Sequence, residues 1–410
     1  MIAKRTNIRG GSSALAPDRQ FFSFGSLRRI TTSGKYIPEI DGLRFVAIAA
    51  VVLFHLPVQL PLHSPALDKT DTLWHLISHG GRGVELFFLI SGFILALPFA
   101  SQFLLGSKQV NLQQYYLRRV TRLEPPYIVS ILVRLPLLVL VMHQHLAQVA
   151  VHGLASLVYL HSLIFSSPST VNPPAWSLEV EIQFYCLAPL FAWAYFSLRP
   201  KWFRRACAIA FILLAGILQI HFFGDVGNTR ASLSILNYVQ YFFSGFVLCD
   251  LYLTDWQRLP AHWAWDIVST IAWCWIFVAD GNQVQLFLPL VALVAYIGAF
   301  KGAVFPWFFR LQLVSLIGGM CYSIYLTHNL AIAGARSLLH RLVLSAVTPV
   351  WEKTLVTYVI AAMMALALGF LLYITVERPC MDKAWPTKLL VWLRSGRSSA
   401  VPTMHELPGE

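Results

Sequence analysis

Charge is scarce in this chain. Asp, Glu, Lys and Arg make up 12% of its 410 residues and hydrophobic residues 57%, with a mean hydropathy of +0.62. Soluble domains carry about a quarter charged residues, so a water-soluble globular protein is excluded. The six cysteines (Cys186, Cys207, Cys249, Cys274, Cys321 and Cys380) are scattered, without a CxxC pair or a Cys/His cluster. Neither a disulfide framework nor a structural zinc site is expected, and no metal is assigned. No apolar core followed by a small-residue cleavage site precedes the first long apolar run, so no cleaved signal peptide is read. Residues 1–36, rich in Ser, Gly and Arg, read instead as a basic, disordered cytoplasmic tail. No internal repeat is visible.

What the chain does have is apolar runs, near 38–57, 83–100, 124–146, 176–197, 206–223, 233–253, 263–279, 283–300, 311–332 and 353–377. Each approaches the roughly 20 residues that span a bilayer. A further run at 149–166 carries His152 and His161 and leads into Asn172-Pro173-Pro174. It reads as an amphipathic or re-entrant element, because a full span there would invert every later loop. The net charge of +12 resembles a nucleic-acid signal until its placement is considered. With the N-terminus inside, the inner segments hold 23 Lys and Arg and the outer ones 6. That asymmetry is the positive-inside pattern. The expectation is an all-α, polytopic membrane helical bundle of about ten transmembrane helices with both termini cytoplasmic. Its membrane domain covers 37–380, a cytoplasmic C-terminal tail covers 381–410, and the bilayer rather than nucleic acid is the partner.

A charge in hydrocarbon costs at least a few kcal/mol, so each one needs a partner, a wet cavity or a task. In the first run, Arg44 and His55 are eleven residues apart, three helical turns, and share a face about 16 Å apart along the axis. Arg44 reads as an interface anchor or a ligand-binding cation, and His55 as a core histidine or a base that titrates near neutrality. Glu85 opens the second run, as a counter-ion or a favourable helix-start acid. Ser91-Gly92 in that run allows close helix approach. Arg118, Arg119 and Arg122 crowd beside Pro125-Pro126; a positive-inside flank or forked donors for phosphate both fit. Trp176, Glu179, Glu181, Gln183 and Tyr185 open the fourth run, with Glu181 and Tyr185 on one face. In the ninth, Tyr325 and His328 share a face, and Glu377-Arg378-Pro379 ends the tenth.

Taken in order, these segments resemble the acyltransferase-3 membrane proteins, which O-acylate cell-surface glycans, lipopolysaccharide side chains, nodulation factors and macrolides. The resemblance runs from about residue 36 to 385. It rests on Asp41-Gly-Leu-Arg44 with His55, Gly83-Val-Glu85-Leu-Phe-Phe with Ser91-Gly92, Arg119-Val-Thr-Arg122 before Pro125-Pro126-Tyr127, Trp176-Ser-Leu-Glu-Val-Glu181 with Phe184-Tyr185, Tyr322-Ser-Ile-Tyr325-Leu-Thr-His328, and Glu377-Arg-Pro379. Glu85 stands where an aspartate is common, and Cys321 where a Ser-Tyr-Ser run usually begins. The resemblance implies essential roles for Arg44 and His55, an acyl-CoA donor near Arg119 and Arg122, and Glu181 as the acid of the Trp-Ser-Leu segment. It implies a multi-pass protein of the bacterial inner membrane, with the membrane domain alone and no fused hydrolase-like domain.

The expected chemistry is O-acyl transfer, acetyl being the expected group. The donor is cytoplasmic acyl-CoA, a co-substrate rather than a bound cofactor. The acceptor is a sugar hydroxyl of an extracytoplasmic polysaccharide, lipopolysaccharide or glycolipid. Arg118, Arg119 and Arg122 would hold the donor and Arg44 would face its thioester or a phosphate. His55 would be the general base, oriented by Glu181 or Glu377, with Glu85, Trp176, Tyr185, Tyr325 and His328 in support. An acyl-enzyme relay is equally compatible. A proton-coupled transporter would also use an Arg/His/Glu set in membrane helices, whereas a non-catalytic scaffold leaves the cost of those groups unexplained. Reporter fusions at residues 30 and 400 should both report cytoplasm; an external report from either would overturn the topology.

Overall fold

Apolar runs of this length must satisfy their backbone groups internally, and only helices or closed barrels do so in hydrocarbon. The computed structural model describes residues 29, 36–59, 76–223, 229–341, 350–382 and 384–394, and among these there is no strand. Ten long helices carry the fold: α1 (Pro38–Gln59), α2 (Gly83–Leu105), α3 (Leu112–Pro136), α4 (Trp176–Phe196), α5 (Lys201–Phe223), α6 (Val239–Thr254), α7 (Trp263–Val278), α8 (Asn282–Lys301), α9 (Cys321–Arg341) and α10 (Val350–Leu372). By length and composition α1, α2, α3, α5, α8 and α10 can cross a membrane, while α6 and α7 are apolar but shorter. The protein is therefore an all-α membrane bundle. Helices α4 and α9, which carry Glu179, Glu181, Ser323 and His328, lie outside that set.

The structure departs from the sequence reading in four places. Helix α3 begins at Leu112, capped by Asn111 Oδ1 accepting the Gln114 N–H at 2.9 Å. Arg118, Arg119 and Arg122 are thus on the helix itself, not in a flank before it. The ninth apolar run breaks at Met320 into a short helix, Gln312–Gly319, and α9, which continues to Arg341. The short helix lies hard against α1, where a side chain at Gly318 would collide with the Asp41 carbonyl. In the expected C-terminal tail, Trp385–Arg394 is helical, and Trp385 Nε1 donates to Thr121 O at 3.0 Å. In the expected disordered tail, Arg29 is described and reaches Asp41. Residues 1–28, 30–35 and 395–410, assigned to those tails, lie outside the described residues.

Residues 149–166 form no long helix. They fall in Leu146–Leu157 and His161–Phe165, and twelve helical residues rise only about 18 Å against the roughly 30 Å of a bilayer core. Tyr127 Oη donates to Ser156 O at 2.9 Å, and Glu179 accepts the Ser162 N–H at 2.8 Å, so the element leans on α3 and α4.

The long helices run alternately up and down. At one end Arg310 meets Glu39, Lys201 meets Asp255, and Tyr322 Oη donates to Leu123 O. At the other, Arg82 donates to Ile276 O and Ala279 O, and Arg230 to Ser166 Oγ. Between the ends, α2 packs backbone to backbone on α6. Gly92 lies against the Phe242 backbone and Gly245 against that of Leu89, where any side chain would clash. Phe184 stacks on Phe242 with centroids 3.8 Å apart. This close approach is what Ser91-Gly92 predicted. Leu214 and Ile217 on α5, Ile267 and Ile271 on α7, and Val359 and Met363 on α10 are exposed at helical spacing; they form lipid-facing stripes.

One charged group is buried for structure alone. Asp250 on α6 is fully buried and takes a forked pair of 2.8 Å bonds from Arg204 Nε and Nη2, plus Tyr195 Oη at 3.0 Å. Removing one partner leaves a buried guanidinium uncompensated, a loss of about 3–5 kcal/mol. Asp250→Asn should therefore lower the unfolding midpoint in detergent by several degrees. An unchanged midpoint would mean that solvent or lipid already screens Arg204.

Candidate active site

A cavity of about 870 Å³, counting its open mouth, runs in among α1, α2, α3, α4, α9 and the segment Tyr373–Glu377 that continues α10. Its wall includes Arg29, Arg44, Arg119 and Arg122 together with Glu181 and Glu377. Phe87, Phe88, Ile90 and Leu178 supply apolar lining, and Tyr185, Tyr322 and Tyr325 a third kind of surface. Of the residues singled out from the sequence, seven are brought to this one cavity: Arg44, Arg119, Arg122, Glu181, Tyr185, Tyr325 and Glu377.

Each charged group there has a stated environment. Arg44 Nη1 binds Asp41 Oδ1 at 2.5 Å one turn earlier on α1, and Arg29 Nη1 approaches the same oxygen at 3.5 Å. One buried carboxylate thus holds two guanidinium groups at the cavity wall. Arg119 lies 5.5 Å from the Tyr185 ring and 5.7 Å from the Tyr115 ring, within reach of their π faces. Arg122 has a buried Nε without a hydrogen-bond partner. Glu181 Oε1 accepts from Ser91 Oγ at 2.6 Å and from Tyr185 Oη at 2.5 Å, so the shared face of Glu181 and Tyr185 is a direct hydrogen bond. Glu377 Oε2 accepts from Ser323 Oγ at 2.5 Å and from the Ser323 N–H at 3.1 Å. Cationic forks beside an apolar lining suit a ligand with phosphates at one end and a short organic chain at the other.

The two histidines stand apart from this wall. His55 is half-buried, three turns along α1 from Arg44, and its ring centroid is 5.0 Å from that of His328. Neither Glu181 nor Glu377 orients it: their hydrogen bonds go to Ser91, Tyr185 and Ser323. Tyr325 links the halves. It lines the cavity, its ring centroid is 5.6 Å from that of His328, and its Oη is engaged with Ser177 Oγ and Pro174 O. Arg134 lies in the far half, donating from Nη2 to Leu326 O at 2.9 Å and from Nη1 to Val171 O at 3.5 Å. Nearby in sequence, Asn172 is buried with neither side-chain polar atom paired.

Besides the two histidines, three residues selected from the sequence do not line the cavity. Arg118 is exposed on the outer side of α3, with Gln114 at 3.4 Å. Glu85 sits in the first turn of α2 near Arg82, with Oε2 unpaired. Trp176 packs on Tyr238 with ring centroids 5.4 Å apart. Sequence reasoning missed Arg29, Asp41 and Ser323. Asp41 carried a usable signal, since it lies three residues before Arg44 and i,i+3 pairs share a helix face. Arg29 carried none.

The described residues contain no group of three or more His, Cys, Asp and Glu side chains able to hold a metal. Comparison with known proteins gives a consistent answer. The family described as "Acyltransferase domain" matches residues 37–374. An O-acetyltransferase OatA of Staphylococcus aureus is 22% identical over 321 residues, 72% of this chain and 50% of that protein. A peptidoglycan O-acetyltransferase OatA of Listeria monocytogenes is 29% identical over 169 residues, 39% of this chain and 24% of that protein. The chain thus spans half or less of the length of these curated relatives. No solved structure matches it. With the family pattern covering most of its length and the family's motifs meeting in one cavity, the chain belongs to the acyltransferase-3 family.

Proposed function

We propose that this protein is a membrane O-acetyltransferase that takes acetyl from acetyl-CoA on the cytoplasmic side and delivers it to a sugar hydroxyl on the other side. The observation that carries this reading is the cavity in which Arg29, Arg44, Arg119 and Arg122 converge inside an apolar bundle. Peptidoglycan is the first acceptor to test, because it is named for one of the relatives. The reading takes all ten long helices as spans with both termini cytoplasmic, at the bacterial inner membrane. The alternating helix ends fit that orientation, and the cationic mouth then faces the compartment that holds acyl-CoA.

In this scheme Arg119 and Arg122 bind the donor's phosphates, and the pantetheine arm follows α1 from Arg44 toward His55, about 16 Å at helical rise. His55 takes the proton of the sugar hydroxyl as its oxygen attacks the thioester carbonyl. The new C–O bond forms, the C–S bond breaks, and the thiolate of coenzyme A leaves to be protonated. Arg44 stabilises the charge that develops on the carbonyl oxygen or holds a donor phosphate. A proton-coupled transporter would employ the same ionisable set, but the family relationship and the absence of a repeat between the two halves of the chain weigh against it.

Coenzyme A release from acetyl-CoA by the purified protein, with and without muropeptide acceptors, tests the reading; no acceptor-dependent release from well-folded protein would refute it. Arg119→Ala and Arg122→Ala should each weaken apparent donor affinity about tenfold to a hundredfold, the loss of a hydrogen bond to a charged group, at near-normal abundance. Arg118→Ala should leave donor affinity unchanged. Equal donor affinity in all three would reduce the cluster to an orientation signal. His55→Ala should cut turnover per folded molecule by at least about a hundredfold while acetyl-CoA still binds. Near-normal turnover in that variant would remove the base from the scheme.

A further inference from the structure

His328 is fully buried, and its two ring nitrogens have opposite circumstances. Nδ1 lies 2.7 Å from the carbonyl oxygen of Tyr325. A carbonyl only accepts, so Nδ1 carries the proton, and in the neutral ring Nε2 carries the lone pair. A second proton would bury a positive charge with nothing to accept from Nε2, the costlier arrangement. Nε2 has no hydrogen-bond partner. This is a buried, oriented acceptor with no donor on it.

The surrounding groups narrow what that donor is. The Tyr325 hydroxyl is engaged with Ser177 and Pro174. The Arg134 guanidinium donates to Leu326 O and Val171 O, which fixes the backbone of α9 two residues before His328. Beside His328, on α1, lies His55, with ring centroids 5.0 Å apart and a 44° tilt. That separation is sufficient for a ring-to-ring bond. His152 and His161 also have centroids 5.0 Å apart, and there Nδ1 and Nε2 meet at 2.8 Å. The same spacing leaves room for a bond from a ring nitrogen of the half-buried His55 to Nε2 of His328.

We propose that His328 is the positioning residue of His55: its Nε2 accepts the ring N–H of His55, which fixes one tautomer and leaves the other His55 nitrogen unprotonated toward the acceptor hydroxyl. This rests on the reading of His55 as the base. It supplies that base with a neutral partner in place of a carboxylate. The chain Tyr325 O, His328, His55 resembles in logic any base whose second nitrogen is pinned by a neighbour, with an imidazole in the pinning role. Arg134 and the Tyr325 hydroxyl hold that neighbour still.

The test has two arms. In protein labelled with ¹⁵N-histidine and held in nanodiscs, the His328 ring should show a protonated Nδ1 and a bare Nε2. His55 should show a single tautomer in the wild type and in His328→Gln, but a mixture in His328→Ala. With acetyl-CoA and muropeptide as substrates, His328→Ala should lose about tenfold to a hundredfold in turnover per folded molecule, with the KM for acetyl-CoA unchanged. His328→Gln, whose amide oxygen reaches the place of Nε2, should recover most of that loss. His328→Asn, whose oxygen stands near Nδ1, should not. A purely structural His328 would lower the yield of folded protein, and its Gln and Asn variants would behave alike. Protonated Nε2 in the wild type, or full turnover per folded molecule in His328→Ala, overturns the proposal. If the wild type releases no coenzyme A, the acetyl-transfer reading fails instead, and the ¹⁵N arm still decides the histidine pair.

Discussion

An ionised side chain in a medium without water must find a counter-charge, a set of hydrogen bonds or a cavity, and the architecture of this bundle follows from how each one does so. Asp250 and Arg204 close on each other and on Tyr195, which rivets α4, α5 and α6 together at one end. Asp41 serves differently. It holds Arg44 and Arg29 at the wall of the cavity. Asp250 also takes a second guanidinium, Arg205, but there Asp255 balances it, whereas Arg44 and Arg29 share Asp41 at the cavity wall. The same physics gives a locked structural joint in one place and an anion-attracting mouth in the other.

The close approach of α2 and α6 fixes α2, which supplies one wall of the cavity. Glycines at 92 and 245 bring the two backbones together, and Ser91, beside Gly92, is thereby set to donate to Glu181. Packing and chemistry are coupled at that point, since the glycine that permits the contact fixes the neighbour that binds the acid. The break at Met320 acts similarly. Gly318 lies on the Asp41 carbonyl, and α9 starts afresh at Cys321, with Ser323 on Glu377 and His328 beside His55.

Two polar regions follow from this arrangement, one rich in guanidinium groups and one built on imidazoles, with Tyr325 between them. A cationic region suits a charged donor. The imidazole region also holds the buried Arg134 guanidinium, whose donors go to main-chain carbonyls.

Composition and periodicity determined that the chain is an all-α membrane protein. Hydrocarbon leaves the backbone no alternative, and runs of about 20 apolar residues are visible without any partner. The motif order was legible for the same reason: residues one to four apart on a helix are neighbours whatever the helix packs against, as with Glu181 and Tyr185 or Tyr325 and His328. The tertiary structure alone decided which helices meet. It placed His55 beside His328 rather than beside Glu181 or Glu377, turned Arg118 outward while Arg119 and Arg122 face the cavity, and drew Arg29 in from a segment that composition reads as a tail. These are contacts between residues tens to hundreds of positions apart, fixed by glycine-to-backbone packing and by the pairing of buried charges. Neither leaves a periodic trace in a single sequence.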